Sequence, residues 1–226
     1  MSTVSSSLPI YLKNDYPTSD GKPMAETDWH RMLMIMLIES LDYWFQTDPL
    51  VYVSGNLLIF YEPGNKRRHI SPDVFVVKGV PKAIRPNYLT WEEGRTPNAV
   101  IELSSSSTRR EDIGKKFRIY QDVLKVREYF LFDPYEDYLD PSLQGYRRRN
   151  GLLHPIKMVD GRLPSRELGL HLERSGIALR LYNPAEEKWL PTTSERLALS
   201  EASDRGNKAE IERLRAELLR RPEPEA

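Results

Sequence analysis

Several residues in this 226-residue chain combine types and spacings that could do chemistry. Ser71-Pro72-Asp73 stands directly before the apolar run Val74 to Val77. Glu102 is a lone carboxylate within Ala99-Val100-Ile101-Glu102-Leu103, and Asp112 and Lys116 follow it one helical turn apart. A charge inside an apolar strand is costly unless it is paired or bound to a metal, so Glu102 needs a partner more than any surface glutamate does. Two carboxylates brought together from adjacent strands repel, and a divalent cation is the usual remedy. Hard oxygen donors select Mg2+ or Mn2+. With a lysine nearby, such a site can polarise a phosphodiester and orient or activate a water for in-line attack.

Each feature alone has a plainer reading. Pro-Asp before a strand is often only a turn. Glu102 could sit at a strand end and answer a lysine. Asp112 and Lys116 have the i,i+4 spacing of a solvated ion pair on a helix surface. Their order across strand, strand and helix is more specific than any one of them.

The elements that must position these groups follow from periodicity. Met32, Ile35, Met36 and Ile38 to Leu41 predict a helix over Glu26 to Phe45, with Thr27 or Asp28 as its cap and an apolar middle that suggests burial on most faces. Leu50 to Val53 and Leu57 to Tyr61 read as strands flanking a hairpin or bulge at Ser54-Gly55-Asn56. Val74 to Val77 and Ala99 to Leu103 read as interior strands. Arg85 to Pro97 reads as a polar connection. Thr108 to Glu111 fits a capping box for a helix ending near Leu124, and Arg127 to Asp133 is the next core strand. Strand, helix and strand in succession form a βαβ-like unit, hence a mixed α/β fold. Gly145 to Arg149, Leu152 to Met158, Leu170 to Glu173 and Ile177 to Tyr182 form a β-rich extension. Ile211, Leu214 and Leu218, among alternating charges, outline a helix or short coiled coil. The domains expected are an irregular lead-in at 1–22, a core at 23–192 and a helix at 193–226.

Composition narrows the function classes. The chain has 33 basic and 33 acidic side chains and no cysteine, which excludes disulfides, thiolate metal sites and cysteine nucleophiles. Zero net charge argues against a generally basic nucleic-acid coat. The longest apolar run, Met32 to Ile38, is far short of the roughly 18–20 residues of a membrane span. Met1 to Pro9 lacks the pattern of a signal peptide, so a cytoplasmic location is expected.

Ser71 to Val77, Ala99 to Thr108, Asp112, Lys116 to Tyr120 and Val126-Arg127-Glu128-Tyr129 to Pro134 together resemble the Uma2 family, restriction-endonuclease-like proteins of the PD-(D/E)XK nuclease fold. The resemblance spans roughly residues 16–190 and implies a mixed central β-sheet flanked by helices. It implies a metal-dependent endonuclease that hydrolyses DNA, with Asp73 matching the PD aspartate and Glu102 the next acid. Asp73, Glu102 and Leu103 would be the metal-binding positions, for Mg2+ or Mn2+. The motif's lysine position holds Ser104, a departure that points to Lys116 from the following helix, with Lys115 as its neighbouring alternative. The ammonium is then expected about 4–7 Å from the Asp73 and Glu102 carboxylates. Glu26 is a candidate fourth acid, and His30 could help a water or a phosphate.

Arg67, Arg68, Arg109, Arg110, Lys115 and Arg118 lie near the site in sequence and could neutralise DNA phosphates. Arg147 to Arg149 form a second basic run. A homodimer or higher homo-oligomer is expected as well. Two rival readings stand beside the nuclease: an inactive nuclease fold that binds nucleic acid or protein, and an oligomeric scaffold worked by the 195–220 helix.

Overall fold

The computed structural model describes residues 14–19, 27–104 and 111–219. Helix α1 (Asp28–Trp44) starts at Thr27, whose side chain accepts the His30 N–H. The strands that follow are β1 (Val51–Ser54), β2 (Ile59–Phe60), β3 (His69–Ile70), β4 (Val74–Lys78) and β5 (Tyr88–Leu89). After the single turn α2 (Thr90–Glu93) come β6 (Ala99–Leu103) and two π-helical turns, Glu111–Lys116 and Ile119–Val123. Then come β7 (Glu128–Phe132), β8 (Leu143–Arg149), β9 (Leu152–Pro155), β10 (Arg162–Ser165), β11 (Leu170–Ser175), β12 (Ala178–Asn183) and β13 (Lys188–Trp189).

Among the described residues the central sheet has six strands in the order β1-β4-β6-β7-β8-β9. β6 and β7 are parallel, as a βαβ crossover requires, and the other neighbours are antiparallel. The mixed sheet and its flanking helices agree with the fold class read from the sequence. The pleat divides the side chains of β4 and β6 between two cores. Val74, Val76, Ala99, Ile101 and Leu103 pack with Leu33, Leu37 and Leu41 of α1 and with the leucines of the second sheet, β10-β11-β12-β13. Phe75, Val77 and Val100 face the other way, toward Tyr120, Leu124, Tyr129 and Tyr88.

Several expectations are corrected. Helix α1 buries one stripe only, with Met32 at 59% and Ile35 at 46% exposure. Its apolar residues exceed what one sheet face can cover. No hairpin joins β1 to β2: β1 pairs with β4, while β2 lies in a separate three-stranded sheet with β3 and β5. Gly55 answers a close backbone approach instead of a hairpin turn. The connection 85–97 carries β5 and α2, ended by Gly94 at φ 63°. The helix after β6 is wound with π turns; Leu124 N–H bonds to Ile119 C=O at 2.9 Å, an i→i+5 contact. Its anticipated cap at 108–110 lies outside the described residues.

Arg147 and Arg148 are structural rather than free for DNA. Arg147 Nε reaches Glu128 Oε1 at 2.6 Å, and the guanidinium of Arg148 bonds the carbonyls of Val126, Gly151 and Gln121. Glu128 also accepts Ser165 Oγ–H and the N–H groups of Arg166 and Glu167, pinning the second sheet to β7.

The chain divides into two compact units between Leu190 and Pro191. The second contains helix α3 (Thr193–Leu219), opened by a capping box: Thr192 Oγ1 accepts the Glu195 N–H, and Glu195 returns a carboxylate to the Thr192 N–H at 2.7 Å. Ile211 and Leu214 of the anticipated seam are exposed; the side chain of Leu218 is outside the description. Among the described residues no helix is long and apolar enough to cross a membrane.

Glu128→Ala should lower stability by about 3–5 kcal/mol in denaturant unfolding, because Arg147 loses its partner in a half-buried position. The paired change Glu128→Leu with Arg147→Met should recover only the part due to the stranded arginine, because Ser165 Oγ–H and the Arg166 and Glu167 N–H groups still lose their acceptor.

Candidate active site

The register of the sheet builds the first half of the site. Val74 faces Ile101 across the antiparallel β4–β6 pair, so Asp73, one residue before β4, falls opposite Glu102. Alternation sends both carboxylates to the face of Phe75 and Val100, on which the π-wound segment packs. Asp73 Oδ2 accepts the Leu103 N–H at 2.7 Å, and His30 Nε2 of α1 lies 3.4 Å from Asp73 Oδ1. The loop that carries Asp73 is clasped from below by the segment after β1. Asn56 N–H bonds to Pro72 C=O at 2.8 Å, and a Cβ on Gly55 would sit 2.0 Å from the Asp73 carbonyl oxygen. Only glycine allows that contact.

The second half comes from the π-wound segment. Lys116 Nζ lies 2.9 Å from Glu102 Oε2 and 3.0 Å from Asp112 Oδ1. Tyr120, one turn on, donates its hydroxyl to Glu102 Oε1. Asp112 is itself held: Ser104 Oγ donates to its Oδ2 at 2.7 Å, and the Tyr129 hydroxyl to its carbonyl at 3.2 Å. The side chains of Glu102 and Asp112 are each 1% exposed. The i,i+4 pair is therefore no solvated surface pair, because this side of the helix is the one packed on the sheet. At 2.9 Å Lys116 lies nearer Glu102 than the roughly 4–7 Å expected from the resemblance, as a direct ion pair.

The electrostatics follow from three carboxylates around one ammonium. Burial raises the Glu102 carboxyl above its ordinary range; Lys116 opposes this, while Asp73 and Asp112 add to it. Burial also works to raise Asp73, but the His30 contact, the Lys116 charge and the Leu103 N–H prevail and hold it low. Burial would lower Lys116, yet Glu102, Asp112 and Asp73 together hold it above the usual lysine range. Lys116 is thus a fixed positive charge and a hydrogen-bond donor.

Asp73, Glu102 and Lys116 are brought together, with Leu103 between strand and aspartate. Glu26 lies outside the described residues, as do Arg109 and Arg110. Arg67, Arg68, Lys115 and Arg118 are exposed, with Arg68 Nε 3.1 Å from Glu62. Among the described residues no three His, Asp or Glu side chains already converge as a metal cage. Sequence reasoning missed Tyr120 and the Ser104–Asp112 bond. The spacing Asp112, Lys116, Tyr120, at successive steps of four, was the available signal.

The sequence model of the Uma2 family, described as "Putative restriction endonuclease", matches residues 11–180. No curated protein matches the chain. Among solved structures, the chain is similar to one described as a putative nuclease belonging to DUF820 from Anabaena variabilis. The two share 17% identity with a TM-score of 0.48, over 67% of this chain and 80% of that one.

Gly55→Ala should cost about 1–3 kcal/mol in unfolding experiments, since its Cβ meets the Asp73 backbone, which cannot swing away, as well as Ile38 Cδ1. Ala at the exposed Gly206, where a Cβ meets open space and the backbone has no positive φ, serves as the comparison and should not lower stability.

Proposed function

From a chain that belongs to the Uma2 family, we propose a metal-dependent endonuclease that hydrolyses DNA phosphodiester bonds. The observation that carries this reading is the placement of Asp73 and Glu102 on one sheet face beneath the Lys116 ammonium. The donors suit a hard divalent cation such as Mg2+ or Mn2+, because they are carboxylate oxygens and outnumber the local positive charge. Asp73 and Glu102 would hold it. Leu103 spends its N–H on Asp73 and buries its side chain, which leaves its carbonyl as the group it could offer. When bound, the cation would supply charge at the phosphoryl oxygens and ease loss of a proton from water.

The chain's own residues then have distinct tasks. Lys116, ion-paired with two carboxylates, donates hydrogen bonds and charge to the phosphate as negative charge grows on it; it does not take a proton. Tyr120 holds one oxygen of Glu102 and so fixes the carboxylate plane. Asp112, held by Ser104, keeps Lys116 over the strand ends, so the serine at the usual lysine position supports the lysine at one remove. Leu103 N–H and His30 orient Asp73. Arg67, Arg68, Lys115 and Arg118 are candidates for phosphate contacts, and their contribution should fall steeply with salt.

A second reading, a nuclease fold that binds nucleic acid or protein without cutting, is favoured by one observation. Lys116 lies directly on Glu102, so a cation must displace or share that contact.

Supercoiled plasmid with Mg2+ or Mn2+ should be nicked by the wild type and not after chelation by EDTA. Asp73→Asn and Glu102→Gln should abolish nicking, Lys116→Met should lower it by about 10²–10³-fold, and Lys115→Met should retain it. Folded wild type that takes up Mn2+ but leaves all DNA intact would replace the nuclease by the binding module. In parallel, Mn2+ at about 100 times its Kd should stabilise the wild type by about 2.7 kcal/mol and leave Asp73→Asn unmoved.

A further inference from the structure

At the other end of β6 lies a cavity of about 370 Å³ whose wall includes Lys78, Arg95, Lys125, Arg127, Trp91 and Thr96. Asn98 immediately precedes β6, and Glu102 is four residues along it, so the cavity is separated from the carboxylate site by about 13 Å of strand. It takes no part in the chemistry proposed above.

The cavity is organised around Asn98, which is buried. Its Oδ1 accepts the Lys78 N–H at 2.9 Å, its carbonyl accepts the Arg127 N–H at 3.1 Å, and its Nδ2 donates to Glu167 Oε2 at 3.0 Å. Glu167 in turn lies 3.5 Å from the Arg127 guanidinium and 4.0 Å from Lys78 Nζ. Arg95 lies against Gly79, where a Cβ would come 3.3 Å from its Nε, and its carbonyl accepts the Tyr88 hydroxyl. Gly79 has φ 84°, so the backbone there also favours glycine. Arg95 and Lys125 make no ion pair among the described residues. Four cations thus line one concavity while only Lys78 and Arg127 have a carboxylate, Glu167, within ion-pair range, an arrangement whose self-repulsion an anion would relieve.

We propose that this cavity binds a small phosphate-bearing anion. Three positive charges in excess suit a phosphate dianion, and guanidinium forks match its oxygens two at a time. The volume lies at the low end of ligand pockets and admits a phosphate or a mononucleotide. Trp91 and Pro97 line an apolar side on which a base or sugar can lie.

The test is calorimetric titration of the full chain at low salt, without divalent cations, using inorganic phosphate and dAMP as probes. Saturable binding of one anion per chain is expected, weakened at least tenfold by the double change Arg95→Ala with Lys125→Ala. Both residues are exposed, so that variant should keep its thermal midpoint. Lys157→Ala with Lys188→Ala, two exposed cations elsewhere, should bind as wild type does. Tighter binding of dAMP than of phosphate, lost in Trp91→Leu, assigns the site to a nucleotide; equal affinities assign it to the phosphate group alone. No saturable binding of either probe overturns the proposal, as does an equal loss in the Lys157 and Lys188 control. Because Asp73→Asn should leave this binding intact, its outcome is separable from that of the plasmid assay.

Discussion

One ammonium group shared among carboxylates is the interaction on which the rest of this molecule depends. Glu102 sits in the interior of a sheet, where an unpaired charge would be worth several kcal/mol of destabilisation. Lys116 answers it from a different element, at 2.9 Å. For that to happen, the strand register must set Asp73 beside Glu102, the π-wound segment must lie on the same face, and Gly55 must let the loop close underneath. Hydrogen bonds from Tyr120, Ser104 and the Leu103 N–H hold one oxygen each of Glu102, Asp112 and Asp73, which fixes the three carboxylates in place.

What was legible in the sequence was the part governed by side-chain alternation. Asp73 and Glu102 stand out because each breaks or borders an apolar run, and period two places them on one face. The βαβ unit was readable for the same reason, and with it the parallel β6–β7 pair. What escaped was set by contacts distant along the chain. The Ser54-Gly55-Asn56 segment has the composition of a turn, but its glycine is demanded by the Asp73 carbonyl. Arg147 to Arg149 look like a basic patch, yet Arg147 serves a buried glutamate on the neighbouring strand. The π winding left no mark in the side-chain pattern, since Asp112, Lys116 and Tyr120 still recur at steps of four. Asp112 and Lys116 read as a surface pair because spacing alone does not say which side of a helix is covered.

The sheet is also electrically polarised along its strands. The C-terminal end of β6 gathers Asp73, Glu102 and Asp112 with one lysine, while its N-terminal end gathers Lys78, Arg95, Lys125 and Arg127 with one glutamate. Zero net charge over the whole chain conceals this separation. A cation and an anion would each find a complementary field on the same small domain, at opposite ends of one strand.

Carrying the lysine on a helix, rather than two residues beyond the acid, makes the site depend on packing as well as on strand register. On the strand the lysine would be set by the pairing of the sheet alone. On the segment that follows, Lys116 shares its support with Tyr120, which is buried against Tyr129 in the core and bonded to Glu102. A change in that core packing would therefore reach the charge over Glu102 although no residue of the site itself is altered.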